Sequence, residues 1–547
     1  MSFAALLLAA ALILPLLLAG LLAAGRLRTG ALELLALAPL PALAAALLVP
    51  RGALVLSPPP LRIVLAVDTP GAVLLGGAAL LWAFAGLYAR HYMARDPHAA
   101  RFAFWWLATL AGSLGTFVVA DLASFYLMFS LASLSAFGLV AHERSAAAQR
   151  AGFIYMGLAI LGEALLLLAF VMFANGGEGN PLIAETVARL SSSPLGGVTL
   201  ALLIVGFGMK MGLVPLHVWM PLAHPVAPMP ASAVLSGIIV KAGVIGLIRF
   251  LPLGSASAGQ GLAGWGAFLT ALGLVTAFYG VAIGITQRHP KTVLAYSTVS
   301  QMGFVAAILG AGLASGAAAT ASITAVYGLH HMLVKGTLFL GVGVAVSGRH
   351  RAVVSGVMGL LALSLAGLPF TSGALAKYAA KEIIDGGLAS SLASLSAAGS
   401  TLLMLHFLQC LSTFGKAGAA PAKAPVPGLV LPWALTALIS LALPWLLFGP
   451  VTGIPTDAVF SLAALWGALW PVLMGAGLAI ALRRFACRLP RVPEGDLVVL
   501  AEAGAPLILR AGAALERGDA VLRQWPAGLS ALVCVGLALA ALLHWGR

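Results

Sequence analysis

Apolar residues fill this chain in runs of about twenty, separated by short breaks that hold most of the charges. Runs long enough to cross the roughly 30 Å hydrocarbon layer of a bilayer fall near 3–24, 31–50, 69–91, 103–120, 122–141, 151–174, 197–224, 231–251, 262–285, 292–314, 320–347, 353–386, 392–414, 430–448, 458–482 and 527–545. The pattern predicts an all-α polytopic membrane protein of about sixteen transmembrane helices. Between 483 and 526 it changes, and "LPRVPEGDLVVLAEAGAPLILRAGAALERGDAVLRQW" mixes charged with apolar positions. That segment reads as cytoplasmic or interfacial and partly helical, ahead of the last span. The opening "MSFAALLLAA" lacks the basic start of a secretory signal and reads as a retained first span.

Composition agrees. Of 547 residues, 61% are hydrophobic and 8% charged, where a soluble domain carries roughly 25% charge. Too little polar surface exists to face water all round. The net charge of +14 does not point to nucleic acid, because the bases are spread over the breaks. Numbered in order, the odd breaks hold Arg26 and Arg28; Arg90, Arg95 and Arg101; Arg144 and Arg150; Arg288 and Lys291; Arg349 and Arg351; Lys416 and Lys423; and Arg483, Arg484, Arg488 and Arg491. The even breaks hold few bases and carry Asp121, Glu178, Glu185 and Asp457. The asymmetry predicts odd loops in the cytoplasm and both termini on the other side. Cys410, Cys487 and Cys534 have no metal or redox spacing.

The lysines break this pattern. Lys210, Lys241, Lys335, Lys377 and Lys381 lie within predicted spans, while Lys291, Lys416 and Lys423 lie in loops and the arginines stay in loops or near span ends. A central charge costs roughly 2.5–3.5 kcal/mol on insertion scales. Arginine does not release its proton in a protein, whereas a buried lysine can, so lysines suit a proton route. Snorkelling toward an interface is the simpler reading for Lys381, and serves for Lys377, but not for Lys210, Lys241 and Lys335. In "LHHMLVKG", His331 and Lys335 share a helical face, and His330 faces away from it. His217 and His224 follow Lys210 in "KMGLVPLHVWMPLAHPVAPMP". No cluster has metal-ligand spacing, and the histidines suit proton transfer better.

Two prolines predict broken helices. Pro215 lacks a donor and crowds the carbonyl of Met211; Pro369 does the same to Leu365 in "LAGLPFTSGALAKYAAKE". Opened backbone at membrane depth survives only beside protein or water. The broken spans, 7 and 12, are each fourth in a set of five, which suggests inverted repeats over spans 4–8 and 9–13. The expected organisation is three leading spans in 1–102, repeats in 103–251 and 262–414, two spans in 430–482, the segment 483–526, and the last helix in 527–547.

Four stretches, "VDTPGAVLLGGAALLWAFAGLYARHYM", "KMGLVPLHVWMPLAHPVAPMPASAVLSGIIVKAGVIGLIRF", "HPKTVLAYSTVSQMGF" and "HHMLVKGTLFLGVG", cover much of 68–385. They resemble the antiporter-like membrane subunits shared by respiratory complex I, Mrp-type sodium/proton antiporters and energy-converting hydrogenases. The "PLHVWMPLAHPVAP" form is most similar to the hydrogenase and formate hydrogenlyase branch. The resemblance implies a fourteen-helix core with the same inverted repeats. It also implies that Lys210, Lys241 and Lys335 belong to a central polar axis, with Lys377 its terminal lysine. In one place the chain departs. Relatives carry an acid on the fifth span that pairs with the Lys210 position, and here that position is Ser130, in "ADLASFYLMFSLASLSAF". Glu163, deep in the sixth span, is the expected substitute.

The proton-translocation residues predicted are therefore Lys210, Lys241, His331, Lys335, Lys377 and Glu163, with His217, His224, Lys381 and Ser130 as accessory positions. The chain has no nucleotide-binding glycine loop and no cluster-binding cysteines. No cofactor is expected in it, and any electrons run in partner subunits. The resemblance implies a non-catalytic ion-translocating subunit in a bacterial or archaeal cytoplasmic membrane. Its expected companions are other membrane subunits and a peripheral redox module, with H⁺ as the ion and Na⁺ as the alternative. A subunit of an Mrp-type antiporter without redox partners and a non-conducting scaffold are the other readings; a CO₂-uptake partner fits the proline-rich motif less well.

Overall fold

The computed structural model describes residues 3–27, 30–57, 62–174, 179–254, 262–347, 351–414, 426–483 and 492–522, together with 529, 530 and 533. The last predicted span, Cys487, Cys534 and the loop charges Arg28, Glu178, Arg349, Lys416, Lys423, Arg484, Arg488 and Arg491 lie outside these. The chain divides into a large unit, Met1–Glu494, and a small one, Gly495–Arg547.

In the large unit the order is α1 (Phe3–Ala23), α2 (Ala31–Leu34), α3 (Leu40–Leu48), β1 (Gly52–Ser57), β2 (Ile63–Val67), α4 (Thr69–Tyr92), α5 (Ala99–Val118), α6 (Leu122–Val140), α7 (Ala146–Ala174) and α8 (Ile183–Ala188). The broken seventh span follows as α9 (Gly196–Met211) and α10 (Trp219–Val226), and the eighth as α11 (Met229–Val234) and α12 (Val240–Phe250). Then come α13 (Ala263–Gly284), α14 (Pro290–Ser315), α15 (Thr320–Val346), the broken pair α16 (Arg351–Ala366) and α17 (Ser372–Ile383), α18 (Gly387–Phe414), α19 (Val426–Thr452) and α20 (Leu462–Arg483). The small unit holds α21 (Asp496–Leu522), so the mixed segment is more helical than its sequence suggests. Among the described residues eleven helices, counting Met229–Phe250 as one, are long and apolar enough to cross a membrane.

Two differences from the expected all-helical layout arise early in the chain. The second predicted span is two short helices, because Pro39 and Pro41 remove donors where the turn between them begins to coil again. After it comes an antiparallel hairpin, with Gly52 opposite Val67 and Leu54 opposite Leu65. Asp121 holds this hairpin to the bundle. Its carboxylate accepts from Val64 N (2.9 Å), from Ser124 N at the start of α6 (2.8 Å), and from Asn180 Nδ2 (2.6 Å). Nearby, the Arg249 guanidinium donates to the Thr116, Phe117 and Val119 carbonyls at the end of α5 and faces Asp68, the N-cap of α4, at 3.6 Å. On the opposite loops, His142 Nε2 meets Asp96 Oδ2 at 3.1 Å while Arg101 donates to the His142 carbonyl. Burial holds this imidazole below its ordinary value, against the pull of Asp96.

Helices α13 and α14 pack through glycine. A Cβ added at Gly266, Gly273 or Gly280 of α13, or at Gly303 or Gly310 of α14, would lie under 3.0 Å from the other helix's backbone. Small residues permit such close approach where lipid gives helices no hydrophobic drive to associate. The most apolar stretches of Met229–Phe250 and Pro290–Ser315 are buried along their whole length, whereas that of α20 is 17% buried. A shaft of α12, α14 and α15 thus runs inside a wrapping of peripheral helices.

The breaks in spans 7 and 12 occur where expected, but glycine makes them. Gly212 (φ 81°) ends α9: its N–H reaches the Gly208 carbonyl at 2.8 Å, and Leu213 N reaches the same carbonyl at 2.9 Å. Gly367 (φ 98°) ends α16 in the same way, with Gly367 N and Leu368 N both 3.0 Å from the Leu363 carbonyl. Each is a left-handed C-cap that closes the helix before Pro215 or Pro369 is reached. The anticipated crowding of the Met211 and Leu365 carbonyls therefore does not stop these helices. Gly367→Ala should lower stability by about 1–2 kcal/mol, the cost of a left-handed L-residue, and Pro369→Ala by less than about 1 kcal/mol. Thermal unfolding in detergent measures both. A larger loss from Pro369→Ala would return the break to the proline.

Candidate functional site

The shaft carries the most enclosed charges. A π-helical turn, Leu235–Ile239, widens the helix just ahead of α12, and such turns recur at functional sites. Ser236 in this turn bonds Thr298 of α14 at 2.7 Å. One residue into α12, the Lys241 amine lies 2.5 Å from Nδ1 of His331 on α15. One turn along α15, Lys335 donates to the Leu294 carbonyl at 2.7 Å and to the Ser297 hydroxyl, both on α14. Lys241, His331 and Lys335 are each 0% exposed. His331 Nε2 has no hydrogen-bond partner among the described residues. Among the described residues no carboxylate hydrogen-bonds to this group. Its chemistry is set by donors and acceptors: an ammonium on Lys241 needs a neutral His331, and an imidazolium on His331 needs a neutral amine. The pair can therefore hold at most one excess proton.

Lys210 forms a second centre. It lies in the last turn of α9 and donates to Ser133 Oγ of α6 at 2.7 Å and to Tyr155 Oη of α7 at 3.0 Å. Tyr155 in turn donates to the Ser133 carbonyl at 2.6 Å. The amine also lies 5.2 Å from the Tyr155 ring centre and 5.8 Å from that of Phe129. Glu163 lines the same cleft, which encloses about 290 Å³ of empty space, and its charge acts on Lys210. The hydroxyl that Lys210 meets belongs to Ser133, one turn beyond Ser130. Glu163 shares the cleft as a nearby charge, with no hydrogen bond to the Lys210 amine among those the described residues make.

Broken span 12 forms the third. The Lys377 amine turns back to the Ala366 carbonyl at 2.5 Å, using an acceptor that the end of α16 leaves open. In span 7 the indole of Trp219 serves similarly, bonding the Met209 carbonyl at 3.0 Å. His330, expected to face away from the polar axis, points to broken span 12 and feels the charge of Lys377. Its Nδ1 is 3.0 Å from Ser372 Oγ at the start of α17, and Ser372 contacts Ser364 Oγ (3.2 Å) and the Ser440 carbonyl (3.1 Å). Lys381 is exposed and reaches the Gly467 carbonyl at 3.4 Å.

Lys291 also departs from its expected place. It sits in the first turn of α14, 3% exposed, not in a loop. Its amine donates to the Ala227 (2.5 Å) and Pro225 (3.2 Å) carbonyls at the end of α10. His224, fully buried with its ring 4.8 Å from that of Phe339, feels the charges of both Lys291 and Lys335. Neither ring nitrogen of His224 has a partner among the described residues. His217 stands apart, packed against Tyr279 at 5.0 Å and Tyr296 at 6.1 Å.

Sequence reasoning missed Ser133, Tyr155, His330 and Lys291. A signal existed for Lys291: Ser297, Thr298 and Gln301 follow it at helical spacing, a polar stripe on one face of α14. None existed for the other three, whose partners are far away in sequence.

Comparison with known proteins agrees with this layout. The family described as NADH:quinone oxidoreductase/Mrp antiporter, TM, matches residues 119–406, more than half of the chain. Hydrogenase-4 component B of Escherichia coli (strain K12) is 32% identical over 296 residues, covering 52% of this chain and 44% of that one. NADH-quinone oxidoreductase subunit N of Desulforudis audaxviator is 30% identical over 354 residues, covering 59% and 66%. The chain thus spans less than half the length of the first of these relatives. Among solved structures, the Mrp complex from Dietzia sp. DQ12-45-1b superposes with a TM-score of 0.79 at 22% identity, over all of this chain and 63% of that one, a likeness of fold. The chain is an antiporter-like membrane subunit and belongs to the NADH:quinone oxidoreductase/Mrp antiporter family.

Proposed function

We propose that this chain moves protons as one subunit of a multisubunit membrane redox complex. The observation that supports the reading is the Lys241–His331 contact, in which two bases can hold one proton between them with no acid among the described residues to fix it. A proton arriving on Lys335 repels one held by that pair. At an effective dielectric of 20, unit charges 4 Å apart interact by about 4 kcal/mol. Occupancy of one site therefore drives its neighbour to discharge, and interacting sites titrate as a set.

With odd loops in the cytoplasm and the termini opposite, the buried groups form an ordered series across the membrane. Lys291, in the first turn of α14, is then at the end that this orientation puts in the cytoplasm. His224, between Lys291 and Lys335, needs partners for two buried nitrogens, and water in a proton wire supplies them. From Lys335 the proton passes to the Lys241–His331 pair, through His330 and Ser372 to Lys377, and out beside Lys381. Lys210, with Tyr155, Ser133 and Glu163, is a flanking charge whose state biases Lys241. Glu163 tunes it through space.

Names of relatives support the setting. They include a hydrogenase component and a quinone oxidoreductase subunit, and a peripheral redox module would supply the driving energy here as well, in a bacterial or archaeal cytoplasmic membrane. The translocated ion is H⁺, because lysine and imidazole bind protons and not Na⁺. A scaffold would draw support from the absent acid at Ser130, but it gives no reason to bury Lys241 against a base.

In the native complex, His224→Ala should cut proton translocation at least tenfold with assembly unchanged, and His224→Phe should not rescue it. Vesicle acidification measures this; full transport by either variant would remove the inlet. Glu163→Gln should slow translocation severalfold. Unaltered turnover would mean that Glu163 merely balances charge.

A further inference from the structure

The helices α17, α18, α19 and α20 line a partly open cleft with about 730 Å³ of space between their atoms, open surroundings included. The Lys377 and Lys381 side chains, one turn apart on α17, both line it. Among the described residues that line it there is no aspartate or glutamate. Glu382 is exposed, Asp457 is exposed on the 456–460 turn, and Asp385 lines a separate apolar groove on the other side of α17. The remaining wall is mostly apolar and aromatic, with Phe370, Phe460 and Trp445 at successive ring separations of 6.1 and 5.7 Å. Phe370 and Phe460 are both exposed, so the aromatic lip opens to the membrane boundary.

Two amines without an acid, set in a greasy chamber, lack both a counterion and an apolar filling. Each amine has a carbonyl acceptor, Ala366 for Lys377 and Gly467 for Lys381, and a carbonyl carries no compensating charge. We propose that this cavity binds an anionic amphiphile drawn from the surrounding bilayer, its carboxylate or phosphate between Lys377 and Lys381 and its acyl chain along the aromatic wall. Basic pockets between membrane helices hold anionic head groups by the same chemistry. Binding would pin the Lys377 ammonium and hold back its proton, a consequence that rests on the relay reading above; the binding itself does not.

The test is equilibrium binding to the full-length protein in neutral detergent, which needs no transport. Oleate and dioleoylphosphatidate serve as anionic probes and methyl oleate as the uncharged control. The expected result is saturable binding of one or both anions, at least tenfold weaker in Lys381→Gln and restored in Lys381→Arg. Whichever anion binds more tightly identifies the head group. Methyl oleate should show no saturable binding. Equal binding of ester and acid, unchanged affinity in Lys381→Gln, or no binding of either anion would each overturn the proposal; the last would leave a partner subunit's acid as the counterion. Loss of transport in relay variants with anion binding intact would separate the two ideas.

Discussion

The organisation of this protein depends on amines buried away from bulk water and, among the described residues, without a carboxylate hydrogen-bonded to them. Lys241 is wholly buried, and its amine meets an imidazole. An isolated charge in such a place is costly. The surroundings reduce the cost with neutral dipoles: a histidine nitrogen for Lys241, a carbonyl and a hydroxyl for Lys335, two hydroxyls for Lys210, and helix-end carbonyls for Lys291 and Lys377. Dipoles stabilise a charge without trapping it. A carboxylate at each site would lock the proton in place.

The interruptions of the helices supply those dipoles. A continuous helix spends its carbonyls on itself, and only its last turn has acceptors to spare. Ending α16 at Gly367 gives Lys377 the Ala366 carbonyl; ending α10 before α11 gives Lys291 the carbonyls of Pro225 and Ala227. The π-turn before Lys241 is a milder version, a local widening within an unbroken span. The glycine-lined seam of α13 and α14 belongs to the same economy of space, since it holds α14 rigidly from outside while its polar stripe faces the amines.

Much of this was legible in the chain. Spans read well because bilayer thickness imposes a length on apolar runs, and lysines inside those runs stand out against so little charge. Less legible was anything decided by a neighbour distant in sequence. His330 was set aside because it points about 100° from His331 around the helix, yet a helix inside a bundle has polar neighbours on more than one side. The Ser133 contact to Lys210 could not be read from the chain because which turn of α6 meets α9 is set by packing. The breaks were located correctly and attributed to proline, although a glycine two or three residues earlier had already closed each helix. The hairpin went unseen because its strands are short and lie between proline-rich stretches that resemble span ends.

The most direct test removes the shared proton. The native complex carrying Lys241→Ala, and separately Lys241→Arg, would be reconstituted in sealed vesicles, with acidification recorded alongside electron transfer by the peripheral subunits. The account predicts that both variants lose acidification, because arginine restores the charge and cannot release the proton, while the assembled subunits remain. Normal acidification in Lys241→Arg would show that charge alone suffices at this site and would contradict the relay.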